Sequence, residues 1–269
     1  MIRMYWWQGG RGTGNFGDKL GPALVRALSG QIVVSAAIDQ CDLISIGSLL
    51  EPWLWPDQSW LRFRGAIWGT GRLVGGATMP FPQARILATR GELTLASLDE
   101  PARSTAATGD PALLCGHLHH PVSKPRYKLG IWPHWSESRN RELKEIANAS
   151  SEIVVIDPCG EVRDTLDLAA SCEFIASSAL HGLVVADALA IPSCWIRTST
   201  ANQTTLPQYK FLDYFSAYQT APPAPRKLQA DDNLDTLLPA MSDERHEDAA
   251  RLQDDLLSAF PYRCRAMAI

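Results

Sequence analysis

Residues 173–197, EFIASSALHGLVVADALAIPSCWIR, decide the fold class of this 269-residue chain. The run begins with a short apolar segment at 173–176, which is typical of a buried strand. Residues 181–190 are apolar over a length that suits a helix, and Pro192 separates that helix from a second apolar segment at 193–197. A strand, a helix and a second strand in this order predict a βαβ unit with two parallel strands in one sheet.

The same alternation extends from this unit toward both ends of the chain. In the second half, strands are predicted at 128–132 and 153–156, and helices at 139–149 and 162–170. In the first half, strands are predicted at 2–7, 31–35, 42–47, 66–71 and 84–89, and helices begin near Asp18 and after Arg90. Two such series predict an α/β protein with two Rossmann-like domains that face each other across a cleft. We place the N-terminal domain at 1–120, the C-terminal domain at 121–242, and at 243–269 a helix that packs back on the body.

Composition and charge exclude several classes of function. The chain is 46% hydrophobic and 20% charged, which is ordinary for a folded globular protein. Its net charge of −4 argues against a nucleic-acid-binding protein, which would show an excess of basic residues. The six cysteines form no CxxC pair, and we expect neither a signal peptide nor a membrane span. A cytoplasmic protein with reduced thiols is therefore expected.

Three histidines near the middle of the chain resemble a metal cluster at first sight. His117, His119 and His120 lie in a polar stretch with two prolines, but no acidic or cysteine residue accompanies them at the spacing of a metal site. We interpret this stretch as a solvated linker between the domains and predict no metal site.

A series of short motifs occurs in a fixed order along the chain. The motifs are Asn15-Phe16-Gly17-Asp18, Gly47-Ser48, Trp68-Gly69-Thr70-Gly71, Arg90-Gly91-Glu92-Leu93-Thr94, Gly109-Asp110-Pro111, Gly130-Ile131-Trp132-Pro133-His134 and Ser177-Ser178-Ala179-Leu180-His181-Gly182. In this order they resemble the polysaccharide pyruvyl transferase family over about residues 10–215. The resemblance is closest to the short bacterial enzymes that pyruvylate exopolysaccharide repeat units.

The resemblance implies a two-domain, glycosyltransferase-B-like fold and an enzyme that forms a pyruvate ketal on a sugar. It also implies that phosphoenolpyruvate is the donor substrate and that the enzyme needs no metal or other cofactor. The acceptor would be a lipid-linked oligosaccharide or polysaccharide, which suits peripheral contact with the inner face of the membrane. Many family members carry an arginine two residues before the motif histidine, whereas this chain has Ala179 there. Another cation is therefore expected to hold the donor.

Ketal formation needs groups that move protons, and His181 is the best candidate for a general acid or base. It stands where a strand gives way to a helix, and an imidazole with a pKa near neutrality suits both tasks. Asp18 is predicted to assist from the acceptor side of the cleft. Asn15, Asp110 and His134 are predicted to bind the acceptor sugar.

The donor carries a carboxylate and a phosphate, so its site needs hydrogen-bond donors and cations. Ser177 and Ser178, next to a helix start, are predicted to supply donors. Arg90, at the end of a first-domain strand, and Lys210, in the loop after the last strand, are the cations expected to replace the missing arginine.

Three alternatives remain open at this stage. Residues 12–17 read GTGNFG, which matches GxGxxG, and Asp39 follows a second strand, so a dinucleotide-binding enzyme is one alternative. A nucleotide-sugar glycosyltransferase of similar fold and a non-catalytic glycan-binding relative are the others. The 53–60 segment, with three tryptophans among prolines, is either a hydrophobic lid or a contact with the membrane interface.

Overall fold

The strands of this chain form two separate parallel sheets, which confirms the predicted α/β class. The computed structural model describes residues 1–9, 14–75, 81–119, 124–199, 208–218, 220–229, 231–242 and 246–264. The first sheet consists of β1 (Ile2–Tyr5), β2 (Val33–Ser35), β3 (Leu43–Ile44), β4 (Ala66–Thr70), β5 (Arg85–Thr89) and β6 (Ala107–Thr108). The second consists of β7 (Tyr127–Trp132), β8 (Ile153–Val155), β9 (Cys172–Ser177), β10 (Ser193–Arg197) and β11 (Arg226–Lys227).

Helices connect these strands. They are α1 (Phe16–Ser29), α2 (Glu92–Leu95), α3 (Ala102–Thr105), α4 (Arg141–Asn148), α5 (Val162–Ala170), α6 (Leu180–Ala188), α7 (Tyr209–Phe215), α8 (Leu234–Leu237) and α9 (His246–Ser258). Short 3₁₀ helices span Pro52–Leu54, Ser59–Arg62, Pro111–Leu118, Trp135–Glu137 and Leu238–Ala240. No helix within the described ranges is both long and apolar enough to cross a bilayer.

Both sheets have the same strand order. The first runs β2-β1-β3-β4-β5-β6 and the second runs β8-β7-β9-β10-β11. If each sheet is numbered from its own first strand, both orders begin 2-1-3-4-5. In this doubly wound arrangement the chain reverses direction across the sheet between strands 1 and 3, and a crevice forms at the carboxyl ends of those two strands. The fold therefore contains two equivalent crevices, at β1/β3 and at β7/β9.

The N-terminus of α1 joins the two halves of the molecule. The backbone N–H of Phe16 donates to the carbonyl oxygen of Pro158 at 2.8 Å, and the Phe16 ring packs edge-on against Trp132 with centroids 4.9 Å apart. Lys19, one turn further along α1, donates to Glu161 at 2.8 Å. These contacts bring the carboxyl ends of the two sheets together.

Parts of two segments predicted as a loop and a linker pack into the body instead. The segment of Lys210 is predicted to be a loop after the last strand, but α7 begins at Tyr209 and its Phe211 stacks on Trp195 with centroids 4.4 Å apart. The predicted linker at 116–127 begins inside the 3₁₀ helix Pro111–Leu118. His119 is not solvated, since its Nδ1 lies 2.9 Å from Asp167 and its side chain is only 7% exposed. His120 lies outside the described residues.

The last described helix, α9, lies against the first sheet and the 3₁₀ helix Pro111–Leu118. Leu252 and Leu256 are fully buried on its inner face. The indole N–H of Trp68 in β4 donates to the carbonyl oxygen of Leu256 at 3.0 Å, and Gln253 donates to the carbonyl oxygen of Leu113 at 2.9 Å. Apolar burial and these two hydrogen bonds fix the helix in place.

Candidate active site

A pocket of about 360 Å³ opens where the two crevices face each other. Most of its walls come from the segments that follow β1 and β3 in the first sheet and β7 and β9 in the second, and single residues after β4, β5, β8 and β10 complete it. Six of the nine predicted site residues line it, namely Asn15, Asp18, Arg90, His134, His181 and Lys210. The repeated fold thus assembles one site from corresponding positions of its two halves.

The first wall is the start of α1. Asn15 caps this helix, and its side-chain oxygen accepts a hydrogen bond from the backbone N–H of Asp18. The Asp18 carboxylate accepts one in return from the backbone N–H of Asn15, which completes a capping box. Burial raises the pKa of Asp18 to about 7, although these hydrogen bonds and the charge of Lys210 oppose the rise. Asp18 therefore exchanges its proton near neutral pH.

The opposite wall is the start of α6, which carries His181 as its second residue. Ala179 at the cap position has no side chain that could bond to the first amides of this helix. The Nε2 atom of His181 is shielded from solvent and has no hydrogen-bond partner among the described residues. Burial lowers the pKa of His181 to about 3, and the positive charges of Lys210 and Arg90 lower it further. The imidazole is therefore neutral at physiological pH, in contrast to the titration near neutrality that the sequence predicts.

Lys210 supplies a positive charge to the pocket. It lies in the first turn of α7 rather than in a loop, and its ammonium group forms no ion pair with any described residue. Burial and the neighbouring Arg90 lower the pKa of Lys210 to about 8, against the opposing effect of Asp18 and Glu137. A partly buried ammonium without a carboxylate partner among the described residues favours an anionic ligand.

Arg90 lines the pocket and is held in place by several protein groups. Its guanidinium is fully buried and pairs with Asp213 of α7 at 2.9 Å. It also donates to the hydroxyl of Ser48 at 2.8 Å and to the carbonyl oxygen of Arg72. Asp213 in turn accepts two hydrogen bonds from Thr94, each at 2.7 Å. Arg90 therefore ties α7, and with it Lys210, to the first sheet.

His134 follows β7 and caps the 3₁₀ helix Trp135–Glu137. Its Nδ1 lies 2.8 Å from the hydroxyl of Ser136 and accepts from the Ser136 backbone N–H. The neutral ring then carries its hydrogen on Nε2. Burial lowers the pKa of His134 to about 3, and the charge of Lys210 lowers it further. His134 is thus a neutral hydrogen-bond donor in the pocket wall.

Three predicted site residues do not line the pocket. The Ser177 hydroxyl bonds to the backbone of Trp132 and Ala179, and the Ser178 hydroxyl donates to Glu137 at 2.6 Å. Asp110 is fully buried and caps the 3₁₀ helix that follows it, and burial raises its pKa to about 6. The hydroxyls of Ser177 and Ser178 are thus engaged inside the protein, and Asp110 keeps one carboxylate oxygen without a hydrogen-bond partner among the described residues.

Two carboxylates that were not predicted as site residues, Asp213 and Glu137, hold other residues of the site in place. Asp213 fixes Arg90, and Glu137 accepts from Ser178 and from Thr198 inside the second half. A signal existed for Asp213, since it is a lone acidic residue in the apolar run of residues 209–215 and lies three positions after Lys210. Nothing in the sequence around Glu137 distinguishes it from a surface acid.

The contacts around α1 disfavour a dinucleotide at the glycine-rich segment. The first amides of α1 are used by Pro158 and Asn15, which leaves little of the helix start for a pyrophosphate. Asp39, weighed as a ribose-binding acid, pairs with Arg62 and lies outside the pocket. Residues 10–13 of the segment lie outside the described ranges.

Trp53 is the most exposed of the three tryptophans in the 53–60 segment. Trp55 is buried against Tyr5 with centroids 4.7 Å apart, and Trp60 packs on Phe81. Trp53 is 59% exposed and lines the pocket. This arrangement suits a hydrophobic edge of the pocket better than a broad membrane contact.

Within the described ranges, no group of three or more metal-ligating side chains is present.

Substitution of Gly17 by alanine is expected to displace His181. A methyl group at position 17 would lie 2.0 Å from Nδ1 of His181, so the imidazole would have to move. The displacement is measured as a change in the NMR shift of the His181 ring. Gly116→Ala is the matched control, because a methyl group there meets nothing within 4 Å. An unchanged His181 shift in both variants would refute the close approach of α1 and α6.

The chain is similar to known proteins over most of its length. The profile of a family described as polysaccharide pyruvyl transferase matches residues 15–200. Succinoglycan biosynthesis protein ExoV of Rhizobium meliloti (strain 1021) is 26% identical over 215 residues, which cover 79% of this chain and 64% of ExoV. Uncharacterized protein L143 of Acanthamoeba polyphaga mimivirus is 31% identical over 161 residues, which cover 56% of this chain and 54% of L143. The chain therefore spans less than two thirds of either relative's length. No solved structure matches it.

Proposed function

The chain belongs to the polysaccharide pyruvyl transferase family, and from that premise we propose that it transfers pyruvate from phosphoenolpyruvate to two hydroxyls of one sugar. The product is a cyclic ketal, and the acceptor is a lipid-linked oligosaccharide or polysaccharide reached at the cytoplasmic face of a membrane. We further propose a glycosyltransferase-B-like division of labour, with the acceptor on the side of the first sheet and the donor on the side of the second. The observation that carries the proposal is a partly buried Lys210 that has no ion-pair partner among the described residues and lines the same pocket as a neutral His181 and a readily protonated Asp18.

The anionic groups of phosphoenolpyruvate match the charges of the inner pocket. Lys210 and the uncapped start of α6 both favour an anion, and Arg90 adds positive potential although Asp213 already pairs with it. Ala179 occupies the position of the family's usual arginine. Lys210 is the better substitute for that arginine, because its ammonium has no competing carboxylate among the described residues. No cofactor is needed for this reaction.

The reaction balances without any further reactant. One sugar hydroxyl adds to C2 of phosphoenolpyruvate and loses its proton, while the methylene carbon C3 gains a proton and becomes a methyl group. The C2–O bond to phosphate then breaks, and the second hydroxyl adds to C2 and gives its proton to the departing phosphate. The net change is one ketal and one inorganic phosphate.

His181 and Asp18 are proposed to divide the proton transfers. A neutral imidazole with a free Nε2 can accept the proton of the attacking hydroxyl and pass it to C3. Because bound donor brings negative charge next to Lys210, it offsets the effect of this cation and stabilises the imidazolium that forms. Asp18, with a pKa of about 7, can accept a hydrogen bond from the acceptor or exchange a proton with it.

Removal of the Lys210 charge is expected to raise the pKa of His181. The ammonium disfavours the imidazolium form, so Lys210→Met should move the NMR titration of His181 upward by about one pH unit or more. Lys128→Met is the control, because Lys128 pairs with Glu173 outside the pocket. An unchanged titration in Lys210→Met would show that the two groups do not interact, and the proposed donor site would lose its main cation.

The proposal is tested by donor-dependent phosphate release. The purified chain is incubated with phosphoenolpyruvate and either methyl glycosides of glucose, galactose and mannose or lipid-linked oligosaccharide. Release that requires both substrates supports pyruvyl transfer. Transfer of a hexose from a nucleotide sugar would instead identify a glycosyltransferase. Glycan binding without any turnover would identify a non-catalytic relative.

A further inference from the structure

Two tryptophans stand at corresponding positions in the two halves of the fold. Trp7 follows the carboxyl end of β1 by two residues, and Trp135 follows the carboxyl end of β7 by three. β1 and β7 are the first strands of two sheets with the same order, so both tryptophans lie beside a crevice. Their rings meet across the pocket, with centroids 6.2 Å apart and planes tilted by 39°.

Neither ring is buried in the protein core. Trp7 is 36% exposed and Trp135 is 46% exposed, and both line the pocket whose inner wall holds the buried charges. Their indole N–H groups have no hydrogen-bond partner among the described residues. By contrast, Trp55 and Trp68 in the core each donate to a backbone carbonyl. The pair therefore offers flat apolar faces and free N–H donors at the pocket mouth.

His134 extends this surface toward the inner pocket. Its ring packs against Trp135 with centroids 5.5 Å apart, and its Nε2 has no hydrogen-bond partner among the described residues. A pyranose has an apolar C–H face for the indoles and a rim of hydroxyl oxygens that accept from N–H donors. An alkyl chain would leave these donors unpaired, so the chemistry favours a sugar over a lipid tail.

We propose that Trp7, Trp135 and His134 form the subsite that holds the pyranose ring of the acceptor at the mouth of the pocket. This assignment rests on the proposed function, and it names the element that orients the reacting hydroxyls toward the inner pocket. Because the two indoles come from different halves, the subsite is complete only when the halves are closed on each other.

The subsite is tested first by binding without the donor. The indole N–H NMR signals of the protein are followed during titration with methyl glycosides of glucose, galactose and mannose. At least one glycoside should shift the signals of Trp7 and Trp135, and Trp135→Ala should weaken that binding by about tenfold. Trp135→Phe should restore part of it. If no glycoside shifts either signal, or if hexanol shifts them and the glycosides do not, the subsite is overturned.

Kinetics then separate the subsite from the proposed reaction. Trp7→Ala and Trp135→Ala should each raise the KM for the acceptor by about tenfold and leave the affinity for phosphoenolpyruvate unchanged. Ile32→Ala, which removes an exposed apolar side chain outside the pocket, should leave the acceptor KM unchanged. If Trp7→Ala and Trp135→Ala both keep the wild-type KM for the acceptor, the proposed subsite is refuted but the proposed transfer reaction is not. If the wild type binds glycans but never uses phosphoenolpyruvate, and Trp7→Ala and Trp135→Ala weaken that binding, the subsite stands and the proposed transfer reaction is refuted.

Discussion

Replacement of His181 by alanine is expected to lower the turnover of phosphoenolpyruvate by about 10²–10⁴-fold, the range typical of a lost general acid or base. The reason lies in the position of His181, whose Nε2 lies at the pocket and has no hydrogen-bond partner in the part of the chain that the structure describes. The loss should fall on kcat more than on the KM for phosphoenolpyruvate, because Lys210 and the start of α6 remain. Steady-state kinetics on the purified variant measure both values.

Two controls make the His181 result specific. His117→Ala removes an exposed histidine on the 3₁₀ helix Pro111–Leu118, outside the pocket, and should leave kcat unchanged. Thermal melting of His181→Ala should match that of the wild type closely enough to exclude unfolding. A folded His181→Ala variant with a kcat within about threefold of the wild type would rule out its role in proton transfer.

Replacement of Asp213 by asparagine is expected to destabilise the fold by about 3–5 kcal/mol. Asp213 and Arg90 are both fully buried, and loss of one partner leaves an uncompensated charge in the interior. The melting temperature should fall by roughly 6–20 °C for a chain of this size. Because α7 carries Lys210, donor affinity should fall as well. Thermal melting and calorimetry with phosphoenolpyruvate measure the two effects.

An exposed ion pair provides the comparison for Asp213. Asp255 pairs with Arg251 on the surface of α9, where both side chains are about half exposed. Asp255→Asn should change stability by less than about 1 kcal/mol, because water screens such pairs. Equal melting temperatures for the two variants would show that the Arg90–Asp213 ion pair does not stabilise the fold. The proposed role of this pair in holding α7 against the first sheet would then be refuted.

The sequence predicts those parts of the structure that depend on local patterns. Hydrophobic periodicity identified both series of strands and helices, and with them the two parallel sheets. Strand-to-helix transitions placed Asn15, Asp18 and His181 at helix starts, and all three line the pocket. The position of a side chain on an element is a local property, so one sequence is sufficient to infer it.

The parts that the sequence does not predict depend on contacts between distant segments. Ser177 and Ser178 have the chemistry of ligand donors, but the backbone and Glu137 occupy their hydroxyls. The low pKa of His181 arises from burial and from Lys210, a residue 29 positions away that reaches the pocket through α7. α7 itself forms because its aromatic residues stack on Trp195, which no local pattern reveals.

The most direct test of the account is the structure of the product formed in D₂O. Wild-type protein, phosphoenolpyruvate and an acceptor glycan are incubated in D₂O, and the glycan is examined by NMR and mass spectrometry. The account predicts a glycan that has gained pyruvate less one water as a ketal, with one deuterium in its methyl group. A glycan that keeps an enolpyruvyl ether with an intact vinylic methylene, or that gains no pyruvate carbon while inorganic phosphate is released, would contradict it.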